Sequence, residues 1–304
     1  TAEDAQRYGF NFIEPSLLGR DVAFGLNLDY AETSSSFNSF DTERIVFQPT
    51  LSFPVSENGR LSLNYTYDDL EMSARDDTDT GFVVANDIAA GRQVTSSIGY
   101  NYSYDTRRAG LDPTSGVLLQ FGQDFAGLGG DTKFVKTTAK AIGEKRIFNE
   151  EVTLRATLQG GALAWSEGNN RVSDRFLIGP SIMRGFETGG IGPRDQSNGS
   201  DDSLGGNLFV VGSLEAEFPL GLPEEYGISG GVFYDVGNVW NLDDVEIPLG
   251  SSIVGESGSF RHVIGVSLFW DTPVGPLQFN VSKALKKEDY DEEQKFEVTL
   301  RTDF

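Results

Sequence analysis

In the stretch KFEVTLRTDF at 295–304, Phe296, Val298, Leu300, Thr302 and Phe304 fall on one face of an extended chain, and Lys295, Glu297, Thr299, Arg301 and Asp303 fall on the other. A period of two belongs to a β-strand whose two faces meet different surroundings. The same alternation runs through VAFGLNLDY (Val22, Phe24, Leu26, Leu28, Tyr30 against Ala23, Gly25, Asn27, Asp29) and LSLNYTYD (Leu61, Leu63, Tyr65, Tyr67 against Ser62, Asn64, Thr66, Asp68). It returns in SIGYNYSYD, VTLRATLQ and PLQFNVS, and no segment carries a convincing helical period. The chain is therefore expected to be all-β and antiparallel.

A soluble sandwich also alternates, but its turns are usually short at both ends. Here the connections fall into two classes. Residues 15–20, 54–59, 147–150, 219–225 and 271–275 read as tight turns, with 105–115 somewhat longer. Between them, 71–91, 165–206, 238–258 and 285–293 are long and acidic or glycine-rich, and only 33–40 and 127–131 are short. Short turns at one end and long loops at the other, joined by strands of about ten residues, are the pattern of a transmembrane β-barrel. Tyr30, Tyr67, Tyr104, Trp165, Trp240 and Trp270 lie near strand ends, where aromatic girdles form at membrane interfaces, although aromatics are common in soluble sheets too.

The mean hydropathy of −0.28 alone would suggest a soluble protein. Alternation removes that conflict, because only every second residue of a barrel strand meets lipid. No run of about 18 apolar residues exists, so a transmembrane helix is excluded. Lys plus Arg total 24 against 46 Asp plus Glu, a net charge of −22. That balance repels phosphates, so no nucleic-acid partner is expected. The chain has no cysteine, which argues against a disulfide scaffold and a thiolate zinc site. No cofactor is expected.

About thirteen strands can be read, near 5–14, 20–32, 41–53, 60–71, 92–104, 116–126, 132–146, 151–164, 207–218, 226–237, 259–270, 276–284 and 294–304. Bacterial single-chain barrels have even counts. The expectation is that one strand is miscounted, or that the chain is the C-terminal part of a longer barrel whose first strands precede it.

The longest connection contains RFLIGPSIMRGFETGGIGPRD at 175–195, where glycines and prolines put Arg184, Phe176 and Phe186 on irregular backbone. Its Met183-Arg184-Gly185-Phe186 motif and the following GGIGPRD carry a resemblance, together with GLDPTSGVLLQFGQDFAGLGGDTKF at 110–134, GVFYDVGNVW at 231–240, TPVGPLQFNVSKALKK at 272–287 and a C-terminal phenylalanine. In these segments, which recur in order over nearly the whole chain, the sequence resembles the BamA family, barrel subunits of the outer-membrane β-barrel assembly machinery. More widely it is similar to the superfamily that also holds TamA and the two-partner secretion transporters. The family motif usually has valine where Met183 stands. The resemblance implies a sixteen-stranded barrel in the bacterial outer membrane, preceded by periplasmic POTRA domains. Those domains and the first strands are not matched by this chain, which begins near the family's fourth strand.

The resemblance implies that the loop at 165–206 folds back into the barrel and meets an acidic patch on its inner wall. Alternation gives an independent placement: with Val232 and Tyr234 toward lipid, Phe233 and Asp235 face the lumen, and with Val210, Leu214 and Phe218 outward, Glu215 and Glu217 face inward. A guanidinium offers a planar fork that two carboxylates accept. Arg184 is therefore expected to dock on Asp235 and Glu215 with Phe233 beside it. The alternative is a solvated loop arginine, since exposed pairs contribute only about 0 to 1 kcal/mol.

By the resemblance, the function is non-enzymatic folding and insertion of β-barrel proteins. It would act through a seam beside the last strand, whose outward residues are Phe296, Val298, Leu300 and Phe304. The implied partners are unfolded outer-membrane proteins, accessory lipoproteins of the machinery, lipopolysaccharide and phospholipid. The alternative is a TamA-like translocation and assembly subunit or a passive secretion channel, for which a polar lumen is equally suitable. Catalytic readings are weak. Gly227-Ile228-Ser229-Gly230-Gly231 matches G-x-S-x-G but lacks the strand, turn and helix of a nucleophile elbow. The only histidine, His262, suits a strand face better than a metal. Asp77 and Asp79 hint at a calcium loop, but Ile88 stands where the pattern needs glutamate.

Overall fold

A computed structural model describes residues 4–34, 39–75, 78–107, 114–243, 245–272 and 275–300, without the side chains of Asp4, Ala5, Glu224 and Leu300. Eight strands come first, each antiparallel to the next: β1 (Asp4–Glu14), β2 (Ala23–Ser34), β3 (Phe40–Pro54), β4 (Gly59–Ala74), β5 (Gln93–Asp105), β6 (Ser115–Gly130), β7 (Lys133–Ile147) and β8 (Val152–Glu167). The long connection 168–207 then carries two short strands, β9 (Arg194–Asp195) and β10 (Asp202–Ser203). The wall resumes with β11 (Leu208–Pro219) and β12 (Ile228–Trp240). After β13 (Ile253–Val254), which pairs with β9, it ends with β14 (Arg261–Thr272), β15 (Gly275–Lys286) and β16 (Phe296–Leu300). The wall is one 13-stranded antiparallel sheet, and β10-β9-β13 form a separate three-stranded sheet. Among the described residues no ladder joins β1 to β16. Thr302 and Phe304 of the expected last strand, and Asp77, lie outside the described residues.

The faces separate as the period of two requires. Leu28, Phe47, Leu63, Ile98, Leu119, Leu158, Leu214, Val232, Val266 and Val281 are exposed on the outer face. A soluble surface does not spread contiguous apolar side chains over a whole sheet, whereas a lipid-facing band does. The inner face is polar at mid-depth: Gln48 donates to Thr66 (2.9 Å) and Ser267 to Asn280 (2.7 Å). No helix of the described residues is long and apolar enough to cross a membrane.

Two features depart from the sequence reading. First, 82–89 forms an α-helix, α1 (Phe82–Ala89), inside a connection where no helix was expected. Gly81 at its N-cap offers no side chain, and its first amides are satisfied from the loop at 168–207: Gly81 N–H donates to Asp202 (2.7 Å), Phe82 N–H to Ser197 (2.9 Å) and Val83 N–H to Asp195 (2.9 Å). Second, Trp165 is not a lipid-facing girdle residue. It is buried on the inner side, donates to the Gly168 carbonyl (2.9 Å) and stacks on Phe134.

Two apolar clusters sit inside the sheet. One joins α1 to the wall and loops through Phe40, Leu70, Met72, Val83, Val84, Val172, Leu204 and Leu242. The other packs the loop onto β11, β12 and β14 through Ile178, Met183, Phe186, Ile191, Val211, Phe233, Val239 and Val263.

Candidate functional site

The loop reaches the wall on a tight turn. The Ile182 and Met183 amides both donate to the Gly179 carbonyl at 3.0 Å, and the Gly189 amide closes onto Ile178 at 2.9 Å. Met183 and Phe186 are 0% and 1% exposed, so the motif is anchored by apolar burial on either side of the arginine. Gly185 between them has φ of +93°, and a Cβ there would stand 2.8 Å from Val263 Cγ1. Both the backbone and the packing require glycine at this point.

Arg184 uses its whole fork. Nε and Nη2 donate to the two oxygens of Asp235 at 2.8 and 2.7 Å, Nη1 donates to Glu215 at 2.5 Å, and Nη2 also reaches Ser213 Oγ at 2.8 Å. The backbone amide of Arg184 adds a bond to Asp235 at 3.2 Å. The guanidinium carbon lies 3.6 Å from the centre of the Phe233 ring, a cation–π contact. Gly265, paired with Phe233, leaves room for that ring, since a Cβ there would fall 2.3 Å from Phe233 Cζ. Burial disfavours the Arg184 charge, but Asp235 and Glu215 outweigh burial and raise its pKa.

The structure thus brings Arg184, Glu215, Phe233 and Asp235 together and packs Met183, Gly185 and Phe186 around them. Glu217 stands apart, accepting from Ser229 at 2.7 Å within the wall. Ser229 lies inside β12, with no elbow around it. His262 lies on β14 with Nδ1 against the Tyr234 hydroxyl at 2.5 Å. No cluster of metal-ligating residues occurs among the described residues.

Three partners escaped the sequence reading. Ser213 donates to Asp235 at 2.6 Å and shares the inward face of Glu215, two residues away, so alternation could have found it. Arg155 takes the second oxygen of Glu215 at 2.8 Å and bonds Glu144 at 2.7 Å. It stands opposite Glu215 through the β8–β11 register, which the intervening loop conceals. Arg194 of the GPRD segment is 1% exposed and donates to Gly189 O, Asp201 and Glu292, each at 2.9 Å.

At the last strand, β16 pairs with β15 over Leu277–Val281 and Leu300–Phe296. Phe296 and Val298 point outward and Glu297 is buried on the inner side, while the Leu300 side chain and Phe304 lie outside the described residues. In an antiparallel strand the N–H and C=O of one residue point to the same neighbour, and alternate residues point to opposite ones. Lys295 O accepts from Ser282 N–H at 2.9 Å, so residues 295, 297 and 299 face β15 and residues 296 and 298 face away.

A transmembrane antiparallel barrel wall with a long loop pinned inside it by one arginine defines a class of outer-membrane-type β-barrel. The Omp85 superfamily domain matches residues 1–304, and the chain belongs to that superfamily. It is 29% identical, over 91% of its length, to the outer membrane protein assembly factor BamA of Neorickettsia risticii, and 25% identical over 88% to BamA of Nitratidesulfovibrio vulgaris. It is also 28% identical over 79% to the human sorting and assembly machinery component 50 homolog. The chain spans 36%, 32% and 51% of those proteins respectively. Among solved structures, BamA from Haemophilus ducreyi lacking POTRA domains 1–3 superimposes with a TM-score of 0.81 at 20% identity, covering 97% of this chain and 61% of that one. That likeness shows the shared barrel fold.

Proposed function

We propose that this barrel is the membrane part of a bacterial outer-membrane protein assembly factor, which folds and inserts β-barrel proteins at the edge beside its last strand. The observation that carries the reading is the arginine motif docked on the inner wall of a barrel of the same superfamily as the BamA relatives. On β16, Phe296 and Val298 turn their backbone groups away from β15, toward the side on which a seam would lie. An open strand edge is a template on which an incoming strand forms its own backbone bonds. The BamA relatives are named outer membrane protein assembly factors, which supports unfolded outer-membrane β-barrel proteins as the substrate class. Accessory lipoproteins, lipopolysaccharide and phospholipid are the remaining proposed partners. The work is non-enzymatic, since strand pairing and apolar burial need no bond made or broken.

In this reading Met183, Arg184, Gly185 and Phe186 hold the loop on Glu215, Phe233 and Asp235, so that the inside of the wall stays ordered while the edge acts. The test is Val298→Pro in the full-length protein in proteoliposomes. Proline at an outward-facing edge position removes one N–H from the template and none from the β15 ladder. Folding of a substrate barrel, followed by its gel shift on heating, is expected to slow by about tenfold. An unchanged rate with the variant barrel folded would overturn the proposal, and steady ion conductance beside it would favour a passive channel.

A further inference from the structure

The lipid-facing wall carries a hollow. Val117 on β6, Gly143 on β7, Ala156 on β8, Leu214 on β11 and Tyr234 on β12 stand side by side in register on the outer face. The next row toward the short turns runs Lys145, Leu154, Ala216 and Val232. Val117, Leu154, Leu214 and Val232 are exposed and stand out from the sheet, whereas Gly143, Ala156 and Ala216 between them reach no further than a methyl group. The result is a mostly apolar cavity of about 780 Å³ in the outer surface, within the range of about 300–1,000 Å³ in which ligand pockets fall.

Nothing in the sheet itself asks for small side chains here. Branched and aromatic residues suit a strand best, and glycine inside a strand often marks a place where another group approaches closely. Gly143 does not have a positive φ, and a Cβ there would meet nothing within 4 Å, so neither backbone conformation nor packing accounts for it. At the short-turn rim of the hollow, Lys145 shares the outward face two residues before β7 ends at Ile147. It is exposed and has no ion-pair partner among the described residues. On a barrel this level is the membrane–water boundary on the periplasmic side. There a lysine lays its stem on apolar surface and holds its ammonium at the headgroups.

We infer that this hollow binds one glycerophospholipid of the periplasmic leaflet: an acyl chain fills the space over Gly143 and Ala156, and the phosphate sits at the Lys145 ammonium. Charge selects the occupant. In a chain with 46 acidic and 24 basic residues, a lysine without an acidic partner at the rim of an apolar hollow matches an anion that carries an apolar tail. From the level of Gly143 the hollow continues away from the short turns past Ala141 and Gly212, which flank Leu158, so the tail runs toward the bilayer centre. A lipid elsewhere on the wall lacks this combination of cavity and cation. The site gives the phospholipid partner of the proposed assembly factor a fixed place, but it rests only on the membrane-spanning wall, so the two readings can fail separately.

The experiment is native mass spectrometry of the intact full-length protein in detergent, titrated with phosphatidylglycerol in the absence of any substrate protein. One lipid is expected to stay bound to the wild type. Gly143→Leu puts a side chain into the hollow and is expected to weaken that binding about tenfold, the equivalent of about two buried methylene groups. Lys145→Gln is expected to weaken it about threefold, and it keeps the inference testable if the leucine variant does not fold. Lys283→Gln, at an exposed outward position of β15 opposite Ile264, is expected to leave it unchanged. Wild-type affinity in folded Gly143→Leu and Lys145→Gln would overturn the site. Sensitivity to Gly143→Leu alone would mean an apolar occupant without a phosphate and overturn the phospholipid. Equal loss in Lys283→Gln would overturn it too, by reducing the binding to general attraction between lysines and anionic lipid.

Discussion

Arg184 and Asp235 meet edge to edge, with Nε on one carboxylate oxygen at 2.8 Å and Nη2 on the other at 2.7 Å, and with side-chain exposures of 12% and 1%. Breaking a buried two-point pair leaves the surviving charge without compensation, which costs about 3–5 kcal/mol. Asp235→Asn is expected to lie at the low end, because Glu215 and Ser213 still hold the guanidinium, and Asp235→Arg at the high end. Arg184→Lys should also fail to substitute, since an ammonium cannot span both carboxylates. The temperature at which the folded band is lost on a gel measures all three. Equal temperatures for wild type and Asp235→Arg would mean that the loop does not depend on this contact.

Gly185 tests the same docking through the backbone. At φ of +93° and 2.8 Å from Val263 Cγ1, an added Cβ meets both strain and collision. Gly185→Ala is expected to destabilise the docked loop by about 1–3 kcal/mol. Gly258→Ala, where an added Cβ meets nothing within 4 Å, is the control and should lie within about 0.5 kcal/mol of wild type. Similar losses for the two variants would argue against the docked geometry.

The helix α1 is held by carboxylates far away in sequence. Asp195 accepts the Val83 amide at 2.9 Å and orders Ser197, whose hydroxyl accepts the Phe82 amide. Asp195→Ala is expected to remove about 1–2 kcal/mol of helix stability, as loss of an N-cap does. The readout is faster amide exchange over 82–85 with unaltered exchange in β4 and β5.

That helix also marks where the sequence stops being readable. Thirteen wall strands were legible because alternation is local: each strand states its own faces. The docking partners of Arg184 were legible because Asp235, Phe233 and Glu215 follow from the same alternation once the motif is placed. FVVANDIA was not, since it is only 8 residues long, carries adjacent valines and has no cap of its own. Its caps arrive from residues 195–202, and a pairing of two distant loops has no local signature. Arg155 was missed for the same reason, as its place beside Glu215 depends on a register set across the longest connection.

Acidity should tighten α1, against the usual direction for carboxylates. Burial raises the pKa of Asp87, and Arg175 and the Val172 amide oppose that shift without cancelling it. Burial raises Asp174 likewise. A carboxyl with a raised folded-state pKa binds its proton more tightly folded than unfolded. Its contribution to stability is complete below the unfolded value and is lost as pH rises through the folded one. After correction for intrinsic rates, amides of α1 are expected to open more readily at about pH 7 than at about pH 4. Asp87→Asn should remove most of that difference. A slope of opposite sign would mean that Arg175 dominates the site.

The two faces of the wall can be separated at adjacent positions of one strand. Phe47 is 37% exposed on the outer face at mid-length of β3, and Gln48 turns inward to donate to Thr66. A lysine facing lipid near the bilayer centre costs about 2–4 kcal/mol, whereas the lumen tolerates charge. Phe47→Lys is therefore expected to lower the yield of heat-stable folded barrel in membranes several-fold, and Gln48→Lys to leave it close to wild type. The comparison is sensitive because moving one residue along a strand exchanges the faces completely. Equal yields from the two variants would place both side chains in the same surroundings, which no strand with one face in lipid and the other on a polar lumen can do.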